Sequence, residues 1–349
     1  MGRVYPHPSL LECFKIMVTI TTISEVTGLS ISIISRYLNG HNVREKNRIL
    51  IEKAIKETGY VPNDFARNLR VEQTKCIGVI IPEFNSVFTT SVLNVVETMI
   101  MKSGYSLILS NCHGDKNFEL TCAKTLIQKR VNALLILPLS DCQEISVLAR
   151  NNNIPVLVFD QYIKNKDVDY VLFDNKGSSY RAAEILTEYG HKNIGIIAGP
   201  QNVFTAKKRL EGFIDYFEKN NIHFPKENIY RCKEFDTESA YQAAKECLSK
   251  ENHPTALFTS SFYLTIGTLK AINEMNLRIP EDISLIAFDS LPFYEVLKPK
   301  LWTINQPYDL IGKTIAKNLL DLIENRQLSS EKIDVVSYSI NEGESIKRL

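Results

Sequence analysis

The chain has 349 residues, more than one hydrophobic core usually organises, so two or three folding units are expected. Its 44% hydrophobic and 23% charged residues are typical of a globular protein, and a net charge of +1 excludes a global attraction to nucleic acid. No run approaches the roughly 18 apolar residues of a membrane span, and seven cysteines without C-x-x-C spacing favour reduced thiols over disulfides or a zinc site.

The N-terminal part of the chain predicts three short helices after an irregular start. Residues 1–16 show no periodicity, and we expect a disordered N-terminal extension there. Apolar residues between positions 18 and 60 recur at helical spacing, with Gly28 ending the first helix and Ser30 as the N-cap of the second. Pro62 then prevents the third helix from continuing.

The second predicted helix carries the chemistry of a DNA-reading element. Short hydroxyl side chains permit close approach to the major groove, and an arginine can grip a guanine or a phosphate. The side chains of this kind in and before the helix are Thr19, Ser30, Ser32, Ser35 and Arg36. The same pattern also fits a plain three-helix bundle with a solvated polar face, because this helix spacing is a weak signal by itself.

From Cys76 onward the pattern changes to short apolar runs that alternate with amphipathic helices. The runs recur about every 25–30 residues, the period of a βα unit in a parallel sheet. They lie at residues 77–81, 106–110, 133–137, 155–159, 171–173, 194–198, 256–259 and 283–288. Eight strands exceed the number that one sheet usually contains. We therefore expect two doubly wound parallel-sheet lobes with a ligand cleft at the carboxyl ends of the strands.

Several ordered motifs of the chain resemble those of the LacI/GalR family of transcriptional regulators. Met17-Val-Thr-Ile and Gly28-Leu-Ser-x-Ser-x-x-Ser-Arg-x-Leu-Asn-Gly40 are similar to its helix-turn-helix headpiece. Gly59-Tyr-Val-Pro-Asn-x-x-Ala-Arg-x-Leu69 is similar to its hinge. Core motifs in the family's order include Pro155-Val-Leu-Val-Phe-Asp160, Arg209-Leu-x-Gly-Phe213 and Phe288-Asp289.

The resemblance covers about residues 17–340 and implies a domain division. A small all-α headpiece would span residues 17–61, a hinge residues 62–75, and a periplasmic-binding-protein-like α/β core residues 76–349. Within the core, the N-lobe would comprise about residues 76–174 and 305–335, and the C-lobe about residues 175–304.

The resemblance also implies how the protein meets its operator. Ile31, Ser32 and Arg36 would read bases. Contacts to the DNA backbone would come from Thr19, Ser30, Ser35, Asn39, Tyr60 and Asn63. Leu69 would wedge into the minor groove, with Ala66 allowing close approach. An isolated hinge is too short to hold a helix in water, so the resemblance implies a homodimer on a near-palindromic operator in double-stranded DNA.

The core of the family senses a small-molecule effector, and matching positions imply a set of cleft residues. They are Phe88, Asp174, Thr205, Arg209, Phe235 and Asp289. Each aromatic could instead be core packing, and Arg209 could form a structural ion pair. Many family members have Asn-Asp where this chain has Ser261-Phe262, so a standard hexose is in doubt. A sugar is expected, with a sugar acid, a phosphate or a non-sugar metabolite as alternatives.

Enzyme motifs are incomplete in this chain, and we expect no catalytic site, metal or cofactor. Gly312-Lys313-Thr314 resembles a phosphate loop, but Pro307 stands where that motif needs a glycine. The six histidines are scattered without metal-ligand spacing. Together with these absences, the resemblance implies a cytoplasmic, dimeric repressor of a carbohydrate-utilisation operon that has no membrane partner. A solute-binding protein without a regulatory role is the alternative.

Overall fold

The computed structural model describes residues 18–38, 40–60, 74–290, 294, 296–325 and 328–349. The chain divides into two compact units, Met1–Thr74 and Lys75–Leu349. None of the described helices combines the length and apolar character that a bilayer span requires.

The smaller unit holds three helices around a small apolar core. They are α1 (Ile20–Thr27), α2 (Ile31–Leu38) and α3 (Glu45–Thr58). Thr19 caps α1 by accepting a hydrogen bond from the backbone N–H of Thr22, and Gly28 ends it with a φ of 67°. Each helix buries an isoleucine in the core: Ile23, Ile34 and Ile51. The three helices predicted from periodicity are confirmed.

The larger unit contains two six-stranded sheets. The first, entirely parallel, has the order β11-β5-β4-β3-β1-β2. Its strands are β1 (Cys76–Ile81), β2 (Ser106–Asn111), β3 (Ala133–Ile136), β4 (Val156–Phe159), β5 (Asp169–Phe173) and β11 (Ile333–Val336). Helices α4 (Val87–Lys102), α5 (Lys116–Gln128), α6 (Gln143–Asn151) and α11 (Tyr308–Glu324) flank it.

The second sheet has the order β12-β10-β9-β8-β6-β7 and is parallel except for β12. Its strands are β6 (Ile194–Ala198), β7 (Ile229–Arg231), β8 (Ala256–Thr259), β9 (Ser284–Phe288), β10 (Trp302–Asn305) and β12 (Ser339–Asn341). Helices α7 (Asn175–Glu188), α8 (Phe204–Lys219), α9 (Thr237–Leu248) and α10 (Phe262–Glu274) flank it, and a short 3-10 turn (Lys226–Asn228) precedes β7. The two doubly wound lobes are confirmed.

Four strands lie outside the apolar runs from which strands were predicted: β7, β10, β11 and β12. Three of them are short or half exposed, and β10 alternates apolar with polar residues, so none shows a continuous apolar run. Three of these strands, β10, β11 and β12, matter because the chain crosses between the two lobes next to them. It enters the second sheet's lobe after β5, returns to the first after β10, and leaves again after β11.

Candidate effector cavity and headpiece surface

A cavity of about 480 Å³ lies between the two lobes. Its walls follow the carboxyl ends of strands in both sheets: Pro82 comes after β1, Leu137 after β3, Ser261 after β8 and Gln306 after β10. Open α/β sheets bind ligands at this end of their strands, and the volume suits a small organic molecule.

The structure brings five of the six predicted effector residues to this cavity. Phe88, Thr205, Arg209, Phe235 and Asp289 all line it.

Asp174, the sixth, does not belong to the lining and corrects the prediction. Its carboxylate accepts a hydrogen bond of 2.8 Å from the backbone N–H of Gly177 and caps α7. The helix begins at the very next residue, so its unpaired N–H groups take the carboxylate.

Arg209 is buried on α8 with its guanidinium held from three sides. Nε donates to the side-chain oxygen of Asn175 and Nη1 donates to the carbonyl of Ser260, both at 2.8 Å. The guanidinium carbon lies 3.7 Å from the centre of the Phe288 ring. Among the described residues, these contacts, rather than the ion pair considered from the sequence, orient the arginine toward the cavity.

Two aspartates from opposite lobes face this arginine. Asp160 directly follows β4 and Asp289 directly follows β9, and both have a left-handed backbone, with φ of 66° and 70°. Such φ values are uncommon for residues other than glycine and often mark ligand sites. The two strand ends therefore aim one carboxylate each into the cavity.

Burial dominates the electrostatics of both carboxylates. It raises the pKa of Asp160 to about 6, with the Arg209 charge opposing the rise and Asp289 adding to it. Burial also raises the pKa of Asp289, against the effects of Arg209 and of Gln306, whose amide donates to it at 2.8 Å. Oδ1 of Asp160 is buried without a hydrogen-bond partner among the described residues. The carboxylate oxygens of Asp160 and Asp289 are therefore poorly solvated acceptors that suit ligand hydroxyls.

Asp160 is the main cavity residue that the sequence analysis missed. A signal for it exists, since the dipeptide Phe-Asp occurs four times in the chain, ending at Asp160, Asp174, Asp236 and Asp289. Three of these four aspartates line the cavity. Gln306 and Tyr308, where the chain crosses back to the first lobe, were missed as well.

The headpiece surface is formed by the start of α2. Ile31 and Ser32 are exposed there, with 40% of Ile31 accessible, while Ile33 packs against the core. Ser30 shares a hydrogen bond of 2.9 Å with Ser32. Of Ile31 and Ile33, only Ile31 is therefore accessible to a DNA groove.

The remaining predicted DNA contacts differ in their surroundings. Arg36 is exposed and Ser35 is half-buried, and Thr19 is exposed at the cap of α1. Tyr60, by contrast, is only 8% exposed because its ring packs with the core isoleucines, so most of it serves packing. The predicted contacts Asn39, Asn63, Ala66 and Leu69 lie outside the described residues, as does the predicted extension at residues 1–16.

Comparisons with known proteins agree with this architecture. Residues 183–346 match the periplasmic binding protein-like domain. The HTH-type transcriptional repressor PurR of Klebsiella pneumoniae (strain 342) is 33% identical over 326 residues, covering 91% of this chain and 94% of the relative.

Two solved structures extend the agreement. The lac repressor dimer bound to operator and the anti-inducer ONPF superposes with a TM-score of 0.85 at 26% identity, covering 95% of this chain and 99% of that one. A regulator from Enterococcus faecium with bound ribose has a TM-score of 0.70 at 25% identity, covering 78% and 99%.

Proposed function

The chain belongs to the LacI/GalR family of DNA-binding transcriptional repressors, which are not enzymes, and from that premise we propose that an effector bound between its lobes controls its hold on a near-palindromic operator. The observation that carries the proposal is the cavity in which Arg209 meets Asp160 and Asp289 from opposite lobes. A ligand that contacts both lobes changes the relative stability of the open and closed arrangements of the lobes. It thereby changes the fraction of the protein that binds DNA in the cytoplasm.

The charges in the cavity favour a neutral, polyhydroxylated effector over an acid. The described lining contains one cation, Arg209, against four acidic side chains: Glu83, Asp160, Asp236 and Asp289. A sugar acid or phosphate would place its negative charge beside two poorly solvated carboxylates. A neutral sugar can donate hydroxyl protons to the aspartates and accept from the arginine. Repression of a carbohydrate-utilisation operon is therefore the regulatory role that we propose.

We propose that the protein acts as a homodimer, and exposed apolar side chains on and next in sequence to an edge strand of the first lobe support this. Met101, Leu109 and Phe118 are 58%, 46% and 43% exposed, on α4, β2 and α5. β2 is an edge strand that pairs only with β1 among the described strands. Edge strands with exposed apolar side chains favour pairing with another chain, and a second copy would cover this one.

We expect Leu109→Glu to dissociate the dimer, because a carboxylate would be buried without a partner in the apolar contact. The apparent mass in sedimentation equilibrium should fall to that of one chain, and operator affinity should fall at least tenfold. Val147→Glu is the matched control, since Val147 is 55% exposed on α6 of the same lobe. If both variants stay dimeric, the two copies meet on another surface.

A gel-shift titration tests the function itself. The full chain is titrated against DNA from the promoter region of its own gene at two salt concentrations, with bulk competitor DNA present. We expect a complex that survives competitor, and a neutral sugar that changes its midpoint, whereas the matching sugar acid and sugar phosphate do not. The direction of the change distinguishes inducer from corepressor. Equal affinity for all sequences, with and without ligands, would refute the proposal.

A further inference from the structure

The cavity has a polar floor. Arg209, Asp289 and Gln306 form it, and each of them is at most 6% exposed. They are joined by the amide of Gln306, which donates to Asp289, and by the charge interaction between Asp289 and Arg209. This floor offers both donors and acceptors, which a ring bearing several hydroxyl groups requires.

Part of the remaining wall is aromatic. We name the four half-buried rings Phe88, Phe235, Phe262 and Tyr263 the aromatic collar. The rings of Phe262 and Tyr263 are 5.0 Å apart in an edge-to-face arrangement. Phe88 meets Tyr308 edge to face at 5.8 Å. Aromatic rings so arranged leave faces and edges that a flat apolar group can pack against.

The structure fixes two collar rings from outside the cavity. The hydroxyl of Tyr263, on α10, donates a 2.8 Å hydrogen bond to the carbonyl of Asn85, in the loop after β1, and so joins the two lobes. Phe235 packs closely against Gly199, where an added Cβ would come within 2.4 Å of the ring. Both rings are therefore preorganised before any ligand arrives.

The collar lies nearer to solvent than the floor. Glu83 and Asn85, which line the cavity beside it, are exposed, and Phe84 between them leaves 51% of its side chain in solvent. A ligand that extends from the floor toward solvent on this side therefore lies beside the collar rings.

The start of α10 supplies part of the collar through Ser261-Phe262. Ser261 uses its hydroxyl to cap α10, accepting from the backbone N–H of Leu264 at 3.4 Å. Phe262, the first residue of α10, contributes its ring to the cavity wall. A plain monosaccharide, with hydroxyls on all sides, would leave some of them unpaired against these rings.

We infer that the effector is amphiphilic, with a hydroxylated ring on the polar floor joined to a flat apolar ring inside the aromatic collar. An aryl glycoside and a nucleoside share this chemistry. The inference rests on the proposed function only in taking the cavity as the effector site.

Matched ligand pairs on the full chain test the inference. Titration calorimetry compares phenyl with methyl glycosides of glucose, galactose, mannose and xylose, and adenosine and uridine with ribose. We expect at least one ring-bearing member to bind tenfold or more tightly than its plain partner. The glycoside and nucleoside arms identify the source of the flat ring. If no pair shows this preference, whether its members bind equally or not at all, the inference is wrong.

Two variants separate the collar ring from the lobe contact. Phe262→Leu should reduce the preference for the ring-bearing member to threefold or less. Tyr263→Phe keeps the ring and removes the hydrogen bond to Asn85, so both members should weaken together and the preference should persist. An unchanged preference in Phe262→Leu would overturn the inference. Circular dichroism shows that each variant is folded, and the gel-shift titration with and without ligand tests the repressor function separately.

Discussion

Asparagine in place of Asp160 is expected to stabilise the ligand-free protein and to weaken its response to the effector at least tenfold. Burial raises the pKa of Asp160 from its ordinary 3.8 to about 6. A folded-state pKa above the unfolded one contributes stability that is present at low pH and lost as the pH rises through about 6. At pH 8 the ionised side chain therefore destabilises the fold, and a neutral amide removes that effect.

The magnitude follows from the shift. Two pKa units correspond to roughly 3 kcal/mol. Part of the side chain faces the open cavity, where solvent screens its charge. We therefore expect Asp160→Asn to raise the free energy of unfolding by about 1–2 kcal/mol at pH 8. The gain should shrink as the pH is lowered to 5. Urea unfolding at both pH values measures it.

Ligand titration of the same variant completes the test. Asp160→Asn loses an ionised hydrogen-bond acceptor. We therefore expect the concentration of neutral sugar needed for a given stabilisation to rise at least tenfold. The control Asp167→Asn removes a surface carboxylate paired with Arg150 and should leave both properties near those of the parent. A variant less stable than the parent at pH 8 would show that Asp160 supports the fold rather than the effector.

Replacing Arg36 by alanine is expected to weaken operator binding by about 10- to 100-fold. A bidentate contact from arginine to guanine contributes roughly 1–3 kcal/mol of discrimination. Arg36 lies in the last turn of α2, whose first turn exposes Ile31 and Ser32. Arg36→Lys keeps the positive charge but loses the paired N–H donors of the guanidinium. Compared with Arg36→Ala, it should therefore restore affinity for DNA of any sequence more than selectivity for the operator.

Lys53→Ala provides the matched control for Arg36. Lys53 lies on α3 with 70% of its side chain exposed, and it pairs only loosely with Glu57, at 3.8 Å. Its loss should change operator and bulk DNA affinities alike and by less than threefold. Competition gel shifts against a single-base operator mismatch separate the two roles. If Arg36→Ala weakens both DNAs equally, Arg36 contacts the backbone and does not read a base.

The elements that could be predicted from the sequence are those encoded by local pattern. Helices α1 to α3 and the eight apolar strand runs were predicted because a periodicity of 3.6 residues, or a continuous apolar run, requires only neighbours in the chain. The short strands β7 and β12 escaped prediction because each owes its pairing to a distant strand rather than to its own residues.

The cavity shows the limit of such patterns. Asp160, Asp174 and Asp289 each follow a phenylalanine at the end of a strand, so the local sequence treats them alike. Asp174 caps a helix that begins at once, whereas Asp160 and Asp289 turn into left-handed conformations and face the opposite lobe.

By itself the sequence determined the three-helix headpiece, the two parallel-sheet lobes and the motifs that identify the family. Only the tertiary structure decided which aspartates line the cavity, that Tyr60 packs inward, and that the rings of Phe88, Phe235, Phe262 and Tyr263 line that same cavity. The physical reason is range: periodicity acts between neighbours in the chain, whereas a cavity is made by strand ends that lie more than a hundred residues apart and meet only when two lobes face each other.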